Sequence, residues 1–272
     1  MKFNFIFILI FLLQAQWCLA ENLTSKFKHG ERLSYVAKWT GIPAGEIVMS
    51  TNFIEKDQKQ MMEMKLEAKS SMVISMMYKV HEVIQSRVHT NTFLADSLYK
   101  NSLQGRRHYQ ETISFNFSDN LIQYQKDNLK NKKNLPEKHT FKITKGIQNI
   151  FDPLSIFYYL RTLSWKTLGD ESPELFVCAD RKGIYSLKFK LAKKKFIETA
   201  AFGRREVFYL VPSAEFKGAI VKSGKLELWL DTLTGIMLRM KMSIPVGYAS
   251  FELQSAKNSE LTSTSFRSRR RR

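Results

Sequence analysis

Two cysteines in 272 residues leave no disulfide framework to read. One of them, Cys18, lies in an N-terminal stretch that has the marks of a leader, so a processed chain holds Cys178 alone and an intrachain bridge is excluded. Cys178 sits in the apolar run Leu175 to Ala179 with no basic neighbour in sequence, which reads as a buried thiol acting as a small hydrophobe. The motifs of common chemistry are missing too. There is no His-Glu-x-x-His and no paired-cysteine metal motif, and Gly-x-Ser-x-Gly is absent. His81 and His89 lie eight residues apart, too far along a strand rising about 3.3 Å per residue to share one metal. Val221 to Lys225 has the look of a phosphate loop without its spacing, and reads as a basic hairpin turn. No internal repeat, separating linker or second long apolar run is present, so one domain without a further membrane span is expected.

Acidic residues are also scarce: 25 Asp and Glu stand against 43 Lys and Arg, a formal net charge of +18. Residues 1–20 carry Lys2 and an apolar run from Phe3 to Leu13, too short to span a membrane comfortably, followed by Cys18-Leu19-Ala20. This predicts a signal peptide over 1–20 cleaved after Ala20. Trp17 before Cys18 argues against lipidation, since a small residue belongs there. Residues 256–272 hold Lys257, Arg267, Arg269, Arg270, Arg271 and Arg272 against Glu260, and predict a disordered basic tail. The remaining 21–255 are basic enough to be drawn to anionic membrane or wall surfaces, and export makes nucleic acid a poor partner.

What is present is mostly strand. Leu33, Tyr35, Ala37 and Trp39 alternate with polar neighbours, Gly41 to Gly45 marks a turn, and Glu46 to Phe53 returns. Comparable runs follow to Lys126, then an Asn- and Lys-rich loop is expected over Asp127 to His139, and strands resume from Leu175 to Leu253, with Ile184 to Leu191 read as one of them. Ser71 to Met77 suits either a short helix or a strand edge, and Met72, Met76 and Met77 read as core filler or as the lining of an apolar site. One segment is clearly helical: Asp152 caps, Pro153 suits the first turn, and the residues to Trp165 are apolar on nearly every side. Such a helix must be buried. Arg161 within it needs a carboxylate or a route to the rim, and Glu31, Glu46, Asp152 and Asp231 are the candidates.

Gly30-Glu31-x-Leu33-x-Tyr35 with Trp39-x-Gly41-Ile42-x-Ala44-Gly45, then Asp152-Pro153-Leu154-Ser155-x-Phe157-Tyr158-Tyr159-Leu160-Arg161, then Leu228-Trp229-Leu230-Asp231 with Ile244-Pro245 and Gly247, follow an order that resembles the bacterial exported family catalogued as domain of unknown function 3108. The resemblance implies a Gram-negative envelope protein with a large antiparallel β fold and no established activity. By architecture alone it is similar to the incomplete barrels of lipoprotein carriers, although fold does not transmit function.

The expectation is therefore a mainly β chain: one large curled antiparallel sheet or incomplete barrel with a buried helix over 152–165. An exported, periplasmic, non-catalytic protein is expected, binding an apolar or lipid-like ligand in the concave face without cofactor or metal. Asp152, Phe157, Tyr158, Arg161, Trp39 and Trp229 are the candidate ligand-binding residues, and a lipid or lipoprotein is the expected partner. The alternative is an assembly protein that docks on anionic envelope components through its basic surface and its Arg-rich tail, Arg267, Arg269, Arg270, Arg271 and Arg272.

Overall fold

In the computed structural model, residues 23–131, 135–144, 147, 150–168, 172–181, 183–212 and 226–261 are described. The leader with Cys18, the Val221 to Lys225 turn and the arginines from 267 onward lie outside them. Alternating side chains make the strands, and sequential hairpins join most of them. The chain forms β1 (Glu31–Trp39), β2 (Ile42–Lys56), β3 (Lys59–Ser70), the short helix α1 (Met72–Met77), β4 (Val80–His89), β5 (Ala95–Gln104), β6 (Arg107–Asn116), β7 (Leu121–Asn128) and β8 (Glu137–Lys142). After β9 (Ile150–Phe151) and α2 (Ser155–Thr162) come β10 (Leu175–Asp180), β11 (Gly183–Leu187), β12 (Phe189–Thr199), β13 (Gly203–Pro212), β14 (Leu226–Asp231), β15 (Met237–Ser243) and β16 (Tyr248–Lys257).

Thirteen strands form one sheet in the order β12-β13-β14-β15-β16-β1-β2-β3-β4-β5-β6-β7-β8, antiparallel at every pairing. β1 and β16, the first and last strands of the chain, pair in the middle of the sheet and so join its two halves. The two outermost strands, β12 and β8, are not paired with each other, so the sheet curls without closing into a barrel. A separate three-stranded sheet, β11-β10-β9, carries the one parallel pairing among the described strands.

The sheet has two distinct ends. At one, which we call the α1 end, lie the β1–β2 turn, α1 between β3 and β4, the β5–β6 turn and the β15–β16 turn. At the other, the α2 end, lie the Asp57-Gln58 turn, the β4–β5 and β6–β7 connections and the β14–β15 loop. Asp57 and Gln58 both have positive φ, the two-residue hairpin geometry whose twist matches the strands it joins. The β14–β15 loop, Asp231 to Gly235, is a hairpin loop closed by a glycine with φ +68, as its sequence suggests. A Cβ on Gly235 would stand 3.0 Å from the Arg161 carbonyl, so the glycine also lets this loop close over the end of α2.

Several boundaries differ from expectation. Thr40 and Gly41, both with positive φ, suffice for the first turn, and β2 already begins at Ile42. Ile184 to Leu191 is two strands: the chain leaves the small sheet at Leu187 and joins the large one at Phe189, tied there by the Ser172 hydroxyl, which accepts from the Phe189 N–H at 2.9 Å. Within the Asp127 to His139 stretch, β8 begins at Glu137, and His139 pairs with Tyr124 of β7. The basic tail does not begin at Ala256. Ala256 is buried opposite Leu33, and Leu261 is fully buried in the core, so residues 256–261 are part of the fold and 262–272 lie outside the described residues. Nor do Met72, Met76 and Met77 fill core gaps, because α1 has no buried residue.

Candidate functional site

The site is organised by the helix. Asp152 Oδ1 accepts the N–H groups of Leu154 at 2.8 Å and Ser155 at 3.0 Å, while the Ser155 hydroxyl accepts the Asp152 N–H at 3.0 Å. This is a reciprocal cap with serine in the place usually held by a longer acceptor, and Pro153 occupies the position where its missing N–H costs nothing. The other carboxylate oxygen, Oδ2, accepts from Ser86 of β4 at 2.6 Å, which nails the start of the helix to the middle of the sheet. Burial pushes the Asp152 carboxyl above the ordinary aspartate range, and the donors from Ser86, Ser155 and Leu154 pull it partly back.

The helix ends at β1. Arg161 makes a two-pronged ion pair with Glu31, Nη1 to Oε1 at 2.6 Å and Nη2 to Oε2 at 3.1 Å, with 5% and 1% of the two side chains exposed. Among the four carboxylates open from sequence, Glu31 is therefore the partner, and Arg161 does not reach out to the rim. Its guanidinium lies 4.5 Å from the Phe27 ring centroid, and Lys26 Nζ donates to the carbonyls of Arg161 and Thr162, covering the last turn. Phe27, Phe93, Phe151, Tyr158 and Tyr159 pack as an aromatic cluster beneath it, with centroids 4.5–5.9 Å apart. Phe93 has a positive φ of 59°, costly for a bulky residue, and its ring is fully buried in this cluster, which offsets that strain. Burial pushes the Tyr158 phenol up to about 12, with the Thr51 hydroxyl acting in the opposite sense.

Beyond the first turn of α2, toward the α1 end, the packing is incomplete. A cavity of about 150 Å³ opens there, lined by Pro153, Leu154 and Phe157 of the helix segment and by Tyr35, Ile47, Met49, Leu66, Ile84, Met237, Met240 and Phe251 of the sheet. Those sheet residues come from β15, β16, β1, β2, β3 and β4, six adjacent strands. Flat, six strands about 4.8 Å apart would span roughly 24 Å, so one small cavity touches them all only because the sheet curls around it. The Tyr35 hydroxyl, the polar group in the lining, donates to the Met237 carbonyl at 3.0 Å, and burial pushes its pKa far up. Ile47, Leu66, Ile84, Phe157, Met237, Met240 and Phe251 are all only half-buried.

The same face changes character across β4. Ile84 pairs with Lys100 of β5, and there begins a chain of charges: Lys100 lies 3.0 Å from Glu82 and 3.8 Å from Glu111, Lys126 lies 2.8 Å from Glu111, and the Tyr124 hydroxyl donates to Glu111 at 2.9 Å. Each carboxylate is matched by a lysine, so this network is closed upon itself. No group of three His, Cys, Asp or Glu side chains that could hold a metal occurs among the described residues. Cys178 is a free, buried thiol of the small sheet, pushed up to about 12 by burial and then by Asp180 and Asp152, which makes it a poor nucleophile.

The model of one family, described as a protein of unknown function (DUF3108), matches residues 34–254. The chain belongs to that family. Among solved structures, this DUF3108 chain is similar to a beta-barrel-like protein of domain of unknown function DUF1849 from Brucella abortus, with a TM-score of 0.54 and 10% identity over 84% of this chain and 97% of that one. At that identity the likeness speaks for the fold alone. No curated protein matches the chain.

Of the residues expected to bind a ligand, Phe157 lines the cavity. Asp152 caps the helix, Tyr158 is buried against Phe27, and Arg161 is spent on Glu31. Trp229 lies with Arg239 on the face opposite Met240, its ring tilted 39° against that of Tyr209 and Lys195 5.0 Å from it, and so does not reach the cavity. Trp39 stands at the α1 end, its indole N–H donating to the Val246 carbonyl. Met49, Leu66, Ile84, Met237, Met240 and Phe251 were not singled out from sequence. Their strand alternation signals an inward face, but nothing local says that the six strands converge.

Proposed function

We propose that this DUF3108 protein is a non-catalytic binding protein of the bacterial envelope that takes an apolar, lipid-like chain into the cavity beside the first turn of α2. The observation that carries the reading is an open lining on the curled face that is apolar except for the Tyr35 hydroxyl, itself engaged by the Met237 carbonyl, in a place where ordinary core packing would bury Ile47, Leu66, Ile84 and Met240 completely. Its volume lies below the roughly 300–1,000 Å³ that engulfs a drug-sized ligand, and near the size that elsewhere admits a single benzene. The fit is thus to the end of an acyl chain, with the remainder of the lipid or acylated protein lying outside the mouth. The lining carries no group able to attack or protonate such a chain, which favours binding over catalysis. The envelope location rests on the leader read in residues 1–20.

Lipid extraction and mass spectrometry of natively purified protein, joined to titration with a fluorescent fatty acid, test this reading. Saturable uptake is expected, and Ile84→Trp, which fills the cavity from the sheet side, is expected to weaken it at least about tenfold by replacing the ligand's contacts. Trp39→Phe, outside the lining, should leave uptake unchanged. A protein that carries no lipid and shows no saturable uptake, or an Ile84→Trp variant that binds as tightly as the parent, would overturn the proposal. Mass spectrometry of the N-terminus of exported protein checks the compartment, with Glu21 expected first.

A further inference from the structure

α1 is built inside out. Its serines face the sheet: Ser71 caps the Ile74 N–H, the Ser75 hydroxyl stands 2.6 Å from that of Ser70, and Ser70 Oγ accepts the Val80 N–H at 2.9 Å. Its apolar side chains face outward, Met72 at 84%, Met76 at 77% and Met77 at 82% exposed. A soluble surface helix has the reverse arrangement. The oddity is shared by its surroundings, because Trp39 and Ile42, which flank the first turn, and Val246 in the β15–β16 turn are exposed at the same end of the sheet. Single exposed hydrophobes are ordinary, but a cluster from three separate connections marks a contact surface.

Charge identifies what it contacts. Lys79, Arg106, Arg107 and Lys130 are exposed at this end, and a cleft of about 400 Å³ is lined by Arg106, Arg107, Lys126 and Lys130 with Tyr109 and no carboxylate. The Gly105-Arg106 turn sits directly against α1: Tyr78, the residue after the helix, lies 2.7 Å from where a Gly105 Cβ would stand. Glu46 is an exposed carboxylate near α1, across the ladder from Lys69. Methionines, an interfacial tryptophan and a collar of cations match the boundary of an anionic lipid bilayer, where apolar groups sink below the headgroups and Lys and Arg meet the phosphates. We propose that the α1 end docks on an anionic membrane surface, with α1 seated at headgroup depth and the Arg106-Arg107 turn on the phosphates. This holds whether or not the cavity takes a ligand.

Co-sedimentation of the full chain with phosphatidylcholine vesicles, with and without phosphatidylglycerol, together with amide exchange on the bound protein, tests it. Binding that requires the anionic lipid is expected at low salt, with slowed exchange over residues 71–78 and unchanged exchange at Asp57-Gln58. Met72→Ser with Met76→Ser and Met77→Ser should lower the partition coefficient by at least about tenfold, from the lost apolar burial. Arg106→Gln with Arg107→Gln should lower it roughly fivefold per charge. No vesicle binding at low salt overturns the proposal. So does vesicle-bound protein whose α1 amides exchange as fast as in solution, which would assign the anchor to the arginines beyond residue 266. A concentration-dependent dimer that the methionine variant dissolves, without vesicle protection of α1, would assign this end to a second copy of the chain instead.

Discussion

The two ends of the large sheet solve opposite problems. At the α2 end, the helix covers β1 to β4 and the small sheet packs over β5 to β8, so that aromatic rings, a buried ion pair and the hydrophobic clusters fill the curl. Two of its turns, Asp57-Gln58 and Ser118-Asp119-Asn120, are polar, and the β14–β15 loop exposes a lone Leu233. At the α1 end, among the described residues, Ile42 at the start of β2 and Val246 in the β15–β16 turn stand exposed, and a helix points its methionines at solvent. Among the described residues, the same hairpin architecture thus gives one end that is filled and one that exposes apolar side chains. Buried packing belongs to the first and the proposed contact to the second, and substitutions separate the two.

The largest effect is expected at the Glu31–Arg161 pair. Glu31→Gln leaves a guanidinium buried without its counter-charge and should destabilise the fold by roughly 3–5 kcal/mol in urea titration. Replacing both partners, Glu31→Leu with Arg161→Met, should restore most of that loss, because the desolvation cost of both charges disappears together. If the single and double variants were equally damaged, the pair would be acting through shape rather than charge. Vesicle binding, normalised to folded protein, should be unchanged in either.

Asp152 comes next. Asp152→Ala removes the cap and the Ser86 bond, and about 1–2 kcal/mol of stability should go with it. Its pH dependence has a definite sign. The folded-state pKa is raised, so the folded form binds the proton more tightly than the unfolded chain does. The carboxyl's contribution is complete below the unfolded value of about 3.9 and is lost as pH rises through the raised folded value. Measured as parent minus Asp152→Asn, the urea midpoint should therefore fall from acid toward neutral pH; a difference that rose instead would mean that the hydrogen bonds outweigh burial at this carboxyl.

What could be read from the sequence follows the same division. The start of α2 was legible because Asp152, Pro153 and Ser155 act on each other within one turn, and local chemistry leaves local signs. Strand alternation likewise revealed the sheet. Arg161 announced that it needed a partner, but Glu31 lies 130 residues away and sequence spacing says nothing about which carboxylate arrives. The small sheet was missed since alternation runs unbroken through Lys188, where the chain changes layers. The cavity was missed for a related reason: six strands supply it, and only curvature brings them together. For α1 the pattern was misleading, because methionines spaced along a helix look the same whether they face a core or face water.

That last ambiguity supplies the smallest expected change in stability and the sharpest contrast between the ends. Met76→Ser with Met77→Ser should shift the unfolding free energy by less than about 0.5 kcal/mol, since side chains exposed at 77% and 82% lose almost no burial on substitution. Leu160→Ala, a comparable loss of apolar volume in the fully buried part of α2, should cost about 2–5 kcal/mol. Urea titration of both variants beside the parent reads the two numbers on one scale. If the methionine variant is destabilised as much as the leucine variant, α1 is packed in solution against something, and the α1 end is a buried surface rather than a free one. If it is neutral, its four-atom apolar side chains contribute nothing to folding, and their presence on the rim has to be explained by what they touch outside the molecule.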